Sequence, residues 1–367
     1  MLEKKEKKEK KKSKRPTEQK PIPLESMRIK TLDLHVYKKA KQGWVKANVF
    51  FPEAMQVIKL FKAHKNFDVL IDKKDPRFLK GMVLKNGNPV GARINMLPDG
   101  RLLDKAFSLF APELTIHDEE TNDHWDVLYK NKGGTYSYVY TLDKKEQHRK
   151  SKYRAVHEFA KRYNELAESV IKALYDDEDH LAMPMYTLLK TMMRIGNETY
   201  YKAHGHKGLT TIKKHNIQVK KDEVTFSYFG KDGVPFLCTE KFPKVYIKRL
   251  KRKLRPLKDH SFVFTHHETG HPLSEVYFKH AFEKYCGKPF YPHIVRSYYA
   301  TQRVQEFLKN NRSPSKEEVR EFLKGIAAKL GHKKFDKKNE EWKEDYTVTI
   351  NHYVEPKLAE RLRNFYK

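Results

Sequence analysis

The 367-residue chain carries a formal net charge of +29, with 38% hydrophobic and 34% charged residues. This is enough apolar material for two buried cores, and no run reaches the roughly 18 apolar residues of a membrane span. Two cysteines, Cys238 and Cys286, exclude a disulfide framework and read as reduced thiols, and charge follows Met1 and Leu2 at once, so no cleavable signal and an intracellular setting are expected. Residues 1–20 hold ten Lys/Arg against four Asp/Glu, which leaves +23 in the other 347 residues. The folded part is itself basic, and a polyanionic partner such as nucleic acid is expected.

In chain order, residues 1–26 are Lys/Glu-rich and then Pro-bearing, and read as a disordered basic tail. Its KKKSKRP stretch suits a nuclear localisation signal, a non-specific DNA arm or a merely solvated tail. Residues 27–143 read as a β-rich domain of short strands and turns, with one helix near 53–64. Tyr136, Tyr138 and Tyr140 alternate onto one face of a strand. From residue 144 to 367 the periodicity turns helical. Helices are predicted over 148–173, 183–195, 244–253, 274–285, 298–309 and 316–330, with a last one starting near Pro356. Between the second and third of these, residues 215–242 read as three strands with turns at 221–222 and 230–233. The charged segment 333–345 reads as an inserted loop. The fold class is α+β: a β-rich N-terminal domain and a mainly helical one with a three-stranded sheet.

The second half contains every group needed to cut a phosphodiester strand without metal or ATP. A nucleophile must attack phosphorus, fixed cations must meet the charge that grows on the non-bridging oxygens, and the departing 5′ oxygen needs a proton donor. Arginine suits the phosphate because its fork is planar and always charged, and lysine suits the leaving group because its pKa can be tuned. A covalent enzyme link keeps the bond energy for resealing. The residues are spread over RIGNETYY (194–201) with GLTT (208–211), FGKDG (229–233), HIVRSY (293–298), LGH (330–332) and HYVEP (352–356). His204, His206, His266 and His267 lack a carboxylate or thiol at ligand spacing, and neither a metal nor another cofactor is expected.

These five elements, in this order, resemble a type IB topoisomerase, with the small poxvirus and bacterial enzymes as nearest kin, over about residues 124–367. The resemblance implies a C-shaped clamp around duplex DNA, acting as a monomer. It implies phosphate-clamping roles for Arg194 and Arg296 and a general-acid role for Lys231. His332 would bond a non-bridging oxygen, and Tyr353 would form a 3′-phosphotyrosyl link; Tyr346 is its rival. The basic, tyrosine-rich stretch 124–154 resembles the family's DNA-contact segment, with Tyr136, Tyr138, Lys130 and Lys132 as contacts, and Lys207 adds a cation beside GLTT. Two features depart from the pattern. The 21 positions from His332 to Tyr353 exceed the family's usual spacing. HIVR also resembles the HxxR box of the tyrosine recombinases, in which His293 would be catalytic, so recombination is the second reading. A DNA-binding protein that has lost its chemistry is the third, although no catalytic residue type is missing.

Overall fold

A computed structural model describes residues 21–117 and 125–366. The expected tail of residues 1–26 therefore lies outside the described residues up to residue 20, as does His124. Residues 21–26 are described. The Glu25 N–H donates to the Lys39 carbonyl and the Lys39 N–H to the Ser26 carbonyl, so ordered pairing begins before the predicted boundary. The chain divides into two compact units, 1–149 and 150–367.

The first unit is built from short strands. β1 (Met27–Ile29), β2 (Val36–Ala40) and β3 (Gly43–Lys46) form an antiparallel meander, and β4 (Met82–Val83) and β5 (Pro89–Val90) extend it to a five-stranded sheet of order β3-β2-β1-β4-β5. α1 (Pro52–Ala63) starts on a proline, which has no N–H to lose there. It buries Ala54, Val57, Ile58 and Phe61, one helical stripe, in the unit's core. β6 (Ile94–Met96) pairs with β7 (Leu102–Phe107), and β8 (Thr115–Ile116), β9 (Val127–Lys130) and β10 (Tyr136–Val139) form a three-stranded sheet. In β10 Val139 is buried while Tyr136 and Tyr138 are exposed, as the alternation predicts; Tyr140, expected on the same face, lies past the strand end and is half-buried.

The second unit is mainly helical. α2 (Leu142–Ala173), within which the division between units falls, buries Tyr153, Val156, Phe159, Leu166 and Val170 along one stripe. Phe159 packs edge-on against Phe282, Phe290 and Tyr298, with ring centroids 5.1–5.8 Å apart. After α3 (Ala182–Thr191) and α4 (Glu198–His204) comes the antiparallel sheet β11 (Ile217–Lys220), β12 (Glu223–Phe229) and β13 (Pro235–Lys241). α5 (Lys244–Leu254), α6 (Glu275–Cys286), α7 (Ile294–Asn310) and α8 (Lys316–Lys329) follow. Ser315 and Glu318 cap α8 reciprocally. Residues 333–345, expected as a loop, hold a hairpin of β14 (Lys333–Asp336) and β15 (Glu341–Glu344). Phe335 and Trp342 are directly opposed in it, with ring centroids 5.3 Å apart, and this cross-strand pair offsets the charge around it. α9 (Thr347–His352) and α10 (Pro356–Tyr366) complete the unit. Among the described residues no helix is long and apolar enough to cross a membrane.

The C-terminal end of α2 leaves carbonyls without helical partners, and the buried Arg249 of α5 takes them up. Its guanidinium donates to the carbonyls of Ala173, Leu174, Asp176, Asp177 and Asp179 at 2.9–3.4 Å. Arg249→Met should therefore lower the stability of this unit by about 3 kcal/mol, because five carbonyls, two of the bonds buried, lose the guanidinium at once. Thermal denaturation measures it. A loss below about 1 kcal/mol would show that water replaces the guanidinium.

Candidate active site

The site is organised by Arg296 in the first turn of α7, a helix that begins earlier than predicted. Arg296 is 1% exposed. It donates through Nη1 to the Met192 carbonyl and through Nη2 to the Leu330 carbonyl at 2.7 Å, and Nη2 also lies 3.0 Å from His332 Nε2. Met192 ends α3 in the left-handed region (φ 58°), which turns its carbonyl toward α7. Burial lowers the Arg296 pKa from its ordinary value, and Tyr353 partly offsets this. Its Nε is buried with no hydrogen-bond partner.

His332 is placed by the turn that ends α8. Gly331 takes φ +65°, and the His332 N–H returns to the Ala327 carbonyl at 2.8 Å. Arginine can only donate, so His332 Nε2 accepts and Nδ1 carries the proton, donating to Thr349 Oγ1 at 2.8 Å. Burial, then Arg296 and Arg194, lower the imidazole pKa to about 3, so the ring is neutral.

Arg194 follows α3 in an extended strap rather than within the predicted helix. The strap is held by backbone: Leu209 N–H donates to the Arg194 carbonyl and Thr210 N–H to that of Ile195, both at 2.7 Å. A Cβ on Gly208 would lie 2.5 Å from Gly196 N and 2.6 Å from the Arg194 oxygen. RIGNE and GLTT are thus two sides of one backbone junction that only glycine permits. Asn197 then caps α4, accepting the Tyr200 N–H.

Tyr353 follows α9, is 3% exposed, and accepts a hydrogen bond at its Oη from Arg194 Nη2 at 3.1 Å. Its ring lies 4.8 Å from that of His332, 5.2 Å from that of His293 and 5.2 Å from the Arg296 guanidinium carbon. Tyr346 caps the other end of α9 and packs against Tyr366 at 6.3 Å. Lys231 is exposed on the turn joining β12 to β13, closed by a hydrogen bond from Gly230 N–H to the Val234 carbonyl. Arg194, Lys231, Arg296 and His332 line one cavity of about 510 Å³, together with Lys207 and Lys333. Desolvation lowers the Lys207 pKa from its ordinary value.

The other candidate contacts lie in the first unit. Tyr136 and Tyr138 are exposed on β10, and Lys132 is exposed in the adjoining turn. Lys130 and Tyr136 both donate to the Glu113 carboxylate, so part of this patch is neutralised within the protein. Sequence reading missed Lys152, whose pKa burial lowers to about 8 and whose Nζ stands 5.3 Å from the Tyr353 ring centroid. Its only sequence signal was its place on the inner edge of a helical stripe. Desolvation, then Arg296, Arg194, Lys152 and Lys231, hold His293 below its ordinary pKa.

Residues 141–360 match the family model described as eukaryotic DNA topoisomerase I, catalytic core. Among solved structures, the chain is similar to the XerH site-specific recombinase bound to difH substrate in a pre-cleavage complex, at 16% identity and a TM-score of 0.33, over 49% of this chain and 50% of that one. It is also similar to XerH bound to palindromic difH substrate in a post-cleavage complex, at 16% identity and 0.32, over 47% and 45%. The chain thus spans about half the length of these recombinase chains or slightly less. A search of curated protein sequences returned no match.

Gly208→Ala should cost about 1–3 kcal/mol or more, because its neighbours at 2.5–2.6 Å are backbone and cannot swing away. Gly205→Ala, with φ +70° and open space around it, should cost only about 1 kcal/mol. Equal melting points for the two variants would contradict the junction. His332 adds a pH dependence. Its pKa is lower in the folded state, so the unfolded chain binds more protons between pH 6.5 and 3 and stability falls as pH falls through that window. At pH 5 the loss from this group is about 2 kcal/mol relative to pH 7. His332→Gln should flatten the fall in melting temperature, and an unchanged slope would place the imidazole outside the buried site.

Proposed function

Because the chain belongs to the eukaryotic DNA topoisomerase I catalytic-core family, with a type IB topoisomerase-like catalytic domain, we propose that it relaxes supercoiled DNA by transient cleavage and resealing of one strand. Tyr353 Oη attacks the scissile phosphorus and gives up its proton to water. The phosphorus–tyrosyl oxygen bond forms as the bond to the 5′ oxygen breaks, and Lys231 gives that oxygen a proton. Arg194 and Arg296 hold the non-bridging oxygens, and the bare Nε–H of Arg296 is a further donor for them. His332 joins them once the phosphate's charge favours a proton on Nε2 and offsets the cations that now depress it. The strand swivels while attached, and the reverse sequence reseals it. Every group required comes from the chain itself, so neither metal nor ATP has a role in the scheme.

The observation that carries this reading is the Arg194–Tyr353 hydrogen bond. A fixed guanidinium on the phenolic oxygen favours the negative charge a nucleophile must develop, and places it beside the clamp the phosphate would enter. The partner is duplex DNA, bound by a monomer. Tyr136, Tyr138, Lys130 and Lys132 of the proposed β-rich domain (27–143) and Lys207 of the proposed catalytic domain (144–367) are its proposed contacts, within the C-shaped clamp of the family. His293 beside the Tyr353 ring favours the second reading, a tyrosine recombinase requiring defined sites.

The purified protein should relax a negatively supercoiled plasmid in EDTA without ATP, and Tyr353→Phe should abolish relaxation and covalent attachment while leaving DNA binding nearly unchanged. Lys231→Ala should slow cleavage about 10²- to 10⁴-fold, and a substrate with a better 5′ leaving group should recover much of that loss. DNA binding without relaxation by the wild type would transfer the assignment to a recombinase or to a binder without chemistry. Failure of the leaving-group rescue would remove Lys231 as the general acid.

A further inference from the structure

The segment that carries the nucleophile is held by side chains that the scheme above does not use. α9 ends at His352 and α10 begins at Pro356. Proline has no N–H, so the His352 carbonyl cannot receive the bond that a continuing helix would give it four residues on. It accepts from Lys152 Nζ instead. The Tyr353 carbonyl accepts from Thr301 Oγ1 at 3.2 Å, and the Val354 carbonyl accepts from Tyr153 Oη at 2.7 Å. Thr301 Oγ1 also receives the Glu355 N–H at 3.2 Å, and His157 Nε2 lies 3.2 Å from the Glu355 carboxylate. Three successive carbonyls centred on Tyr353 are thus tied to α2 and α7.

We propose that Lys152 and Tyr153 are positioning residues. With Thr301 they form a carbonyl clamp that fixes the backbone of Tyr353, so that its hydroxyl stands at Arg194 before DNA arrives. Neither is assigned a contact with the reacting atoms. Two adjacent residues of one helix grip the carbonyls on either side of the nucleophile, so rotation of the segment about Tyr353 would break both bonds together. Lys152 Nζ also stands 5.3 Å from the Tyr353 ring centroid. The buried Tyr153 hydroxyl cannot exchange its carbonyl for water without unpacking, so that bond is the stiffer of the two. Fixing the nucleophile in advance saves the ordering of a connecting segment that runs from His332 through a whole hairpin.

The inference rests on the topoisomerase reading for its rate effect and stands apart from it for its structural effect, so two measurements on the full chain are made. Tyr153→Phe keeps the ring and removes only the hydroxyl; Lys152→Met keeps the stem, and Lys152→Arg restores a donor. Amide hydrogen exchange at Tyr353 and Val354, both bonded to the Thr349 carbonyl, should quicken about tenfold in Tyr153→Phe and Lys152→Met, and return toward the wild-type rate in Lys152→Arg. Single-turnover cleavage at saturating DNA should slow about 10- to 100-fold in the first two variants and recover in the third, with Kd for DNA unchanged. Unchanged exchange overturns the clamp. Faster exchange with an unchanged cleavage rate overturns the positioning role. A rise in Kd with an unchanged saturated rate makes Lys152 a phosphate contact instead and also overturns it. A wild type that forms no covalent adduct while showing the exchange pattern sinks the topoisomerase reading and leaves the clamp standing.

Discussion

A single buried guanidinium, that of Arg296, ties the catalytic unit together. A cation 1% exposed is expensive unless its donors are taken up, and here they reach the last carbonyls of two helices and an imidazole. Without Arg296, the end of α3, the end of α8 and the His332 ring would have no common anchor. The same arrangement leaves Arg296 Nε buried without a hydrogen-bond partner.

Around that anchor, the remaining groups are set by backbone rather than by side-chain packing. The Arg194 strap is held by amide–carbonyl bonds across a glycine–glycine contact, and His332 by a left-handed glycine. Lys231 rides on a turn. Backbone geometry is stiffer than a rotamer, so the main chain at Arg194, His332 and Lys231 is held firmly. The hairpin of 333–344 extends the chain between His332 and Tyr353 without loosening it, because the Phe335–Trp342 pair and the hydrogen bond from Asp345 N–H to the His332 carbonyl make it a stiff spacer.

Much of this was legible beforehand. The five catalytic candidates were named from short motifs, and the structure brings Arg194, Arg296, His332 and Tyr353 into contact, with Lys231 on the wall of the cavity that Arg194, Arg296 and His332 line. α1, α2, α8, α10 and the β11–β13 sheet followed from periodicity and turn chemistry. The hairpin was missed because its charges hid a two-residue alternation around Phe335 and Trp342. α4 was missed because its seven residues bury none of their side chains and so have no apolar stripe to read. Arg194 was placed inside the preceding helix, since a left-handed Met192 leaves no mark in composition, and the helix that HIVRSY opens was started at 298 rather than 294.

The sequence by itself determined the residue types of the site, their order along the chain and the basic character that matches a polyanion, because these depend only on local chemistry and spacing. Only the tertiary structure decided that RIGNE and GLTT are one junction, that Glu113 neutralises Lys130 and Tyr136, and that Lys152 and Tyr153 grip the carbonyls of a segment 200 residues away. Such contacts arise from burial and from backbone groups common to every residue, and neither leaves a pattern in the letters of the chain.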